Sequence, residues 1–393
     1  MKIFKIIIIF LLIIFFSGCY NYQELNELAI VSAIGIDKNK AGYKMTIQVM
    51  NTKKNGSDTN AAGEQPKFVT YTLEGKTIQS ILRDTVLKSP RRLYVNHMQL
   101  LVISEQLAKD GIHDILDWFA RDSESRKQFY VIVSRNNNTA DILNILTSLE
   151  TLNSKKIYDN IETDSEFLGV SEQTTFENLL ATYLGNKKEL SLSTIKSVGN
   201  IAKGETSDNI KDSVPDAKTI LMPMAIFKGD KMIGYLTKEE SIGISFINNE
   251  IKKTIINYKC NPEKYISSEI IDVKTSLKAD PQKAIVTIKI KGKANINEIN
   301  CDWNLEDDKI IKKAEKMLDN KVKKIVENSV ENIKLKYNSD IFGFEDLFYK
   351  TDYKYYKKIK ANWYNDTFKN IKVIVKADIN LIEKGNILKV IRK

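Results

Sequence analysis

Few residues in this chain could do covalent, metal or proton-transfer chemistry. It has two histidines, His97 and His113, and three cysteines, Cys19, Cys260 and Cys301. A zinc site usually takes four Cys, His or carboxylate ligands. With no second histidine or cysteine at ligand spacing, one here would have to be built on carboxylates. A histidine-based triad needs a serine on a Gly-x-Ser-x-Gly elbow, and the chain has no such run. Aspartate and glutamate are too abundant for any one pair to stand out as a general acid and base. The residue types therefore predict no catalytic centre, no metal and no cofactor. His97 reads as a strand-end histidine hydrogen-bonded to its surroundings.

Cysteine chemistry is the exception. Lys2 and Lys5 precede an apolar run from Ile6 to Phe16, and Ser17-Gly18-Cys19 follows before the chain turns polar at Tyr20. A basic start, a short apolar core and small residues before a processing point make an export signal. The apolar run is too short to span a bilayer, which takes about 20 residues. A cysteine directly after the small pair reads as a lipobox, whose thiol receives diacylglycerol and becomes the first mature residue, carrying acyl chains such as palmitate. Phe16 stands where bacterial lipoproteins favour Leu. Cys260 and Cys301 remain, 41 residues apart. Outside the cytoplasm a disulfide between them is permitted, and two buried thiols fit the sequence equally well.

The positioning elements follow from periodicity. Leu28 to Ile36 is a β-branched apolar run closed by Asp37-Lys38-Asn39, a buried strand ending in a turn. A second strand covers Tyr43 to Thr52, and residues 53–66 have the composition of a loop. Phe68 to Leu73 is a strand. Thr77 to Leu87 is helical, with Ile78, Ile81, Leu82 and Val86 on one face. Leu100 to Ile103 is continuously apolar, so both faces of that strand should be covered. Phe129 to Ser134 is a strand, Thr139 to about Leu149 a helix, and residues 150–172 show no clear period. Thr174 to Leu184 reads as a helix and Leu190 to Val198 as a strand. The polar, turn-rich interval 201–218 is the best linker. Beyond it come a hairpin at Gly229-Asp230, a helix over Glu239 to Ile251, strands over Ser267 to Leu277 and Ala284 to Ala294, and a long amphipathic helix from about Glu306 to Tyr337.

Charge is uneven. The chain carries a formal +10, and residues 309–393 hold 21 Lys and Arg against 11 Asp and Glu, so the remainder balances. A basic region of this kind suits anionic headgroups or an acidic partner, although a solvated lysine surface explains it as simply. No arginine-aromatic cluster or zinc pattern points to nucleic acid.

Three stretches in order resemble one family. The first runs from Cys19 through Glu24-Leu25-Asn26 to Gly35-Ile36-Asp37, with Tyr20 where the family has Trp. The second holds His97 on the run into a strand, then a helix closing on Trp118-Phe119-Ala120-Arg121-Asp122. The third is Ser339-Asp340-Ile341-Phe342-Gly343, followed by Trp363 and a terminal strand near Ile371 to Ile379. Together they resemble the GerC family, the lipoprotein C-subunits of spore germinant receptors. The resemblance implies an α+β fold of three domains, each a β-sheet surrounded by helices. It also implies a non-enzymatic subunit, lipid-anchored on the extracytoplasmic face of the cell membrane or inner spore membrane. Such a subunit works with membrane-associated partner subunits in sensing nutrients such as amino acids.

On that reading the chain divides into a signal (1–18), an N-terminal region of two α+β subdomains (19–200), a linker (201–218) and a C-terminal domain (219–393). Arg121 and Asp122 are expected to pair with each other or cap their helix. Asp340 is expected to cap a second helix after the long one, and Gly343 to relieve the backbone there. The competing class is a solute-binding lipoprotein of an import system, which needs two lobes of regular βαβ units around a cleft. An exported hydrolase lacks its nucleophile.

Overall fold

The computed structural model describes residues 27–40, 42–51 and 67–383. The chain builds two sheets with helices packed on them. In the first, β1 (Leu28–Asn39), β2 (Gly42–Met50) and β3 (Phe68–Gly75) are followed by β4 (Arg92–Tyr94), β5 (Leu100–Ser104), β6 (Tyr130–Ser134) and β7 (Ser191–Gly199), with β8 (Ala217–Lys228) and β9 (Lys231–Tyr235) last. Their spatial order is β3-β2-β1-β5-β6-β7-β8-β9, and the short β4 pairs with β1. The centre is parallel, β1 with β5, β5 with β6 and β6 with β7, while the flanks are antiparallel.

A parallel centre needs cover on both faces, and the apolar runs supply it. Leu101 and Ile103 belong to one core with Ile115, Phe119 and Phe176; Leu100 and Val102 belong to the other with Ile157 and Ile161. The helices Ile78–Asp84, Glu105–Asp110, His113–Arg121 and Phe176–Gly185 lie on the first side, and Thr139–Leu143 and Asn153–Phe167 on the second.

The second sheet runs β10 (Thr254–Lys259), β11 (Tyr265–Asp280), β12 (Ile285–Ile299) and β13 (Lys372–Glu383), antiparallel except for the parallel pair β12–β13. Regular βαβ lobes, as an import-type binding protein would have, are not what this sheet forms. The helix Asp308–Tyr337 packs on β13, with Lys238–Ile247 alongside, and Phe344–Thr351 packs on β11. The long helix buries Ala314, Leu318, Val322, Val326, Val330 and Ile333 at three- and four-residue steps, the stripe of an amphipathic helix. Cys260 and Cys301 are joined as a disulfide with Cα atoms 6.5 Å apart, tying the end of β10 to the chain after β12.

Several expected elements differ. The linker at 201–218 is built structure: helix Ile201–Gly204, a 3-10 turn at Ser207–Ile210 and the first residues of β8. Asn209 explains why a polar, turn-rich segment holds still. Its side chain donates to the carbonyls of Leu146 and Ala217 and accepts from the Ala217 amide, at 2.8, 3.0 and 2.8 Å. The first sheet therefore crosses the expected boundary, taking β8 and β9 from beyond it. Residues Asn153–Phe167, unreadable by period, are a helix that buries Asn153, Ser154 and Ser165 beside Ile157 and Ile161. The helix expected to reach Leu87 ends at Asp84, and Val86, 65% exposed, lies off its buried face.

Candidate functional site

The residues singled out in the sequence gather at two places, each organised by a buried aspartate. On β1, Asp37 accepts from the Thr139 amide at 3.0 Å and the Thr139 hydroxyl at 2.5 Å. Thr139 opens the helix Thr139–Leu143, whose free amides favour an acceptor. Two residues earlier, Gly35 lets that helix sit down, because a Cβ there would lie 2.5 Å from Thr139 Cβ. Burial raises the Asp37 carboxyl above its ordinary value, partly offset by the two Thr139 bonds. Gly35 and Asp37 thus form one seat for one helix.

The second place is the turn after the long helix. Asn338 ends that helix in the left-handed region (φ 47°), its amide closing on the carbonyls of Ile333 and Lys334. Asp340, fully buried, accepts from the amides of Phe344 and Glu345 at 3.0 and 2.7 Å. Gly343 supplies the positive φ of 76° that starts the next helix, a conformation glycine adopts without strain. Burial pushes the Asp340 carboxyl up to about 7, against the pull of the two amides. Phe342 and Phe344 stack at 4.9 Å, and Trp363 lies edge-on to Phe348 at 5.3 Å, all buried in the second sheet's core.

This turn also joins the two sheets. Ser339 Oγ donates to the Phe227 carbonyl on β8 at 2.6 Å, and Tyr337 Oη to the Tyr235 carbonyl on β9 at 2.7 Å. The Glu189 amide donates to the Asp340 carbonyl at 2.9 Å. The Glu189 carboxylate accepts from Tyr364 Oη at 2.8 Å and from the Gly229 amide at 2.6 Å. Gly234 leaves room for the joint, since a Cβ there would lie 2.5 Å from the Tyr337 ring. Glu189, Tyr364 and Gly234 were not singled out in the sequence; no local pattern marks residues whose partners across the joint lie about a hundred positions or more away. Beside the joint a cavity of about 420 Å³ is lined by Lys188, Glu189, Lys228, Glu345, Lys360 and Trp363, with both charges represented.

The remaining residues scatter. Cys19, Glu24, Leu25 and Asn26 lie outside the described residues. His97 sits in a turn before β5, exposed, its ring centroid 5.7 Å from that of Tyr94. His113 opens its helix, with Nδ1 3.1 Å from Tyr183 Oη. Arg121 pairs with Asp117 at 2.8 Å rather than with Asp122, because residues four apart on a helix are neighbours and adjacent ones diverge. Asp122 instead holds the following loop, accepting from the Ser125 amide at 2.9 Å. Among the described residues no group of three or more His, Cys, Asp or Glu is placed to hold a metal ion, and no helix is long and apolar enough to cross a membrane.

Both clusters fall within stretches that match known protein families. Residues 21–197 match the spore germination protein N-terminal domain, and residues 222–385 match the spore germination B3/GerAC-like C-terminal domain. The chain belongs to the GerC family. Spore germination protein KC of Bacillus subtilis (strain 168) is 28% identical, with 96% of this chain and 95% of that protein covered. Spore germination protein B3 of the same organism is 23% identical over 91% and 92%. The crystal structure of the GerBC protein matches with a TM-score of 0.56 at 18% identity, covering 90% of this chain and 97% of that one, and so shares the fold. Within the GerC family match, the Asp37 seat falls in the N-terminal portion. The Asp340 turn falls in the C-terminal portion and clasps it to β8 and β9.

Proposed function

We propose that this protein is the lipid-anchored, non-enzymatic subunit of a spore germinant receptor, acting in nutrient-triggered germination through contacts with integral-membrane and other receptor subunits. The observation that carries this reading is the match of both family domains, in order, over nearly the whole chain. The relatives carry spore germination names over comparable lengths. The Ser17-Gly18-Cys19 order supports attachment through a thioether to Cys19 on the extracytoplasmic side. A single acyl chain holds a protein only marginally, whereas diacylglycerol with a further amide-linked chain holds it firmly. The buried motif residues act as structure, and the surfaces they shape do the docking.

Extraction from spore membranes tests the reading. Mass spectrometry should find cleavage after Gly18 and acyl mass on Cys19, and integral-membrane receptor subunits should co-purify. Spores carrying Cys19→Ala should release the protein from the membrane and lose their nutrient response. An unmodified Cys19 in membrane-extracted protein overturns the anchor; the absence of any co-purifying membrane subunit overturns the receptor assignment.

A further inference from the structure

The second sheet is covered on one face only. Val286, Ile288, Ile290, Val375 and Ile379 point into the core beneath the long helix. The alternate positions of β11, β12 and β13 point outward, and lysine dominates them: Lys274, Lys278, Lys289, Lys291, Lys293 and Lys376 are all exposed. The register sets Lys274 directly opposite Lys291, and Lys289 directly opposite Lys376. Like charges in directly opposed positions destabilise a sheet. Carboxylates answer two of the six lysines, both on the inner strand β12. Asp272 lies 3.6 Å from Lys293 and Asp378 lies 4.0 Å from Lys291, both as exposed pairs, which contribute little.

The chemistry of the face selects its occupant. Protein interfaces are depleted in lysine and rely on aromatic and arginine anchors in a buried apolar centre. On these three strands there is no arginine, the single aromatic ring, Tyr265, stands exposed at the start of β11, nine residues before Lys274, and the isoleucines outside the core are Ile271, Ile285, Ile374 and Ile382. Lysine is a strongly hydrated point charge on a flexible stem. It suits a mobile layer of negative charge better than a fixed carboxylate in a pocket. We propose that this lysine face of the second sheet rests on a surface of anionic phospholipid headgroups. The inference is independent of the Cys19 anchor, because the strands that carry it are present whether or not that thiol is acylated.

Flotation with vesicles tests it on the mature chain from Cys19 onward, made without acyl groups and retaining every described residue. The chain should bind phosphatidylglycerol–phosphatidylcholine vesicles, release with added salt, and not bind phosphatidylcholine alone. Combining Lys274→Gln, Lys289→Gln and Lys291→Gln should weaken binding about 100-fold, from about fivefold per lysine, equivalent to ~1 kcal/mol each near an anionic leaflet. The same variant should unfold at an equal or higher temperature, since opposed charges are removed. Lys312→Gln, Lys316→Gln and Lys324→Gln on the long helix change the net charge equally and should leave binding nearly intact. Equal binding to both vesicle types, or equal loss in the two triple variants, overturns the proposal. So does binding of poly-glutamate without vesicle attachment, which would make an acidic polypeptide the occupant.

Discussion

Asp37 and Asp340 use the same device for different ends. Both are buried carboxylates, raised by burial and held by amides at the start of a helix. Asp37 secures a short helix to the strand that carries it, so its reach ends within the first sheet. Asp340 opens a helix of the second sheet while its own carbonyl takes the Glu189 amide from the loop before β7. A helix seat becomes an intersheet joint when the backbone around it is shared.

Breaking the joint's apolar support should produce the largest change. Phe342 stacks on Phe344 in the core, and Phe342→Ala should cost about 3–5 kcal/mol, read as a lower denaturant midpoint. An unchanged midpoint with failed germination would instead make the ring a docking surface. Next come the aspartates. Asp37→Ala leaves the Thr139 amide and hydroxyl unpaired, and Asp340→Ala the amides of Phe344 and Glu345, at about 1–3 kcal/mol each. Hydrogen exchange separates them: only Asp340→Ala should speed exchange at the Glu189 amide, and acceleration in both would erase the contrast.

Acidity sharpens the same point. The folded state holds the Asp340 proton up to about 7, against an ordinary 3.8. The stabilisation it brings is therefore full below about 4 and is lost as pH rises through about 7. Asp340→Asn has no proton to lose, so the wild type should decline relative to it across that window; parallel stability curves would refute the assignment. The smallest effect is expected far from both seats. Replacing His97 and His113 together by Gln should change stability by no more than about 0.5 kcal/mol and leave germination intact.

What the sequence made legible was local. Leu100 to Ile103, with no polar interruption, announced a strand covered twice, and Ser339 to Gly343 announced a break between two helices. Asn153–Phe167 was illegible because its stripe rests on Ile157 and Ile161 while small polar residues complete the buried side. The interval 201–218 was misleading for the opposite reason: its polarity is spent on specific bonds through Asn209. Charge counting placed the basic excess after residue 308, yet five of the six lysines named on the open face precede it. Only the register of β11, β12 and β13 brings them together with Lys376.

The pairing of β7 with β8 constrains how this chain can be divided. A fragment stopping near residue 200 would keep the parallel centre but forfeit the last two strands of its own sheet, leaving the backbone of β7 unsatisfied along Ser191–Gly199. A bare edge of that length is a template for pairing with another chain. The complementary fragment would carry β8 and β9 as a ribbon with no sheet to join. Mixed together, the two pieces have a reason to find each other, and the two matched portions are better understood as co-folded than as beads on a string.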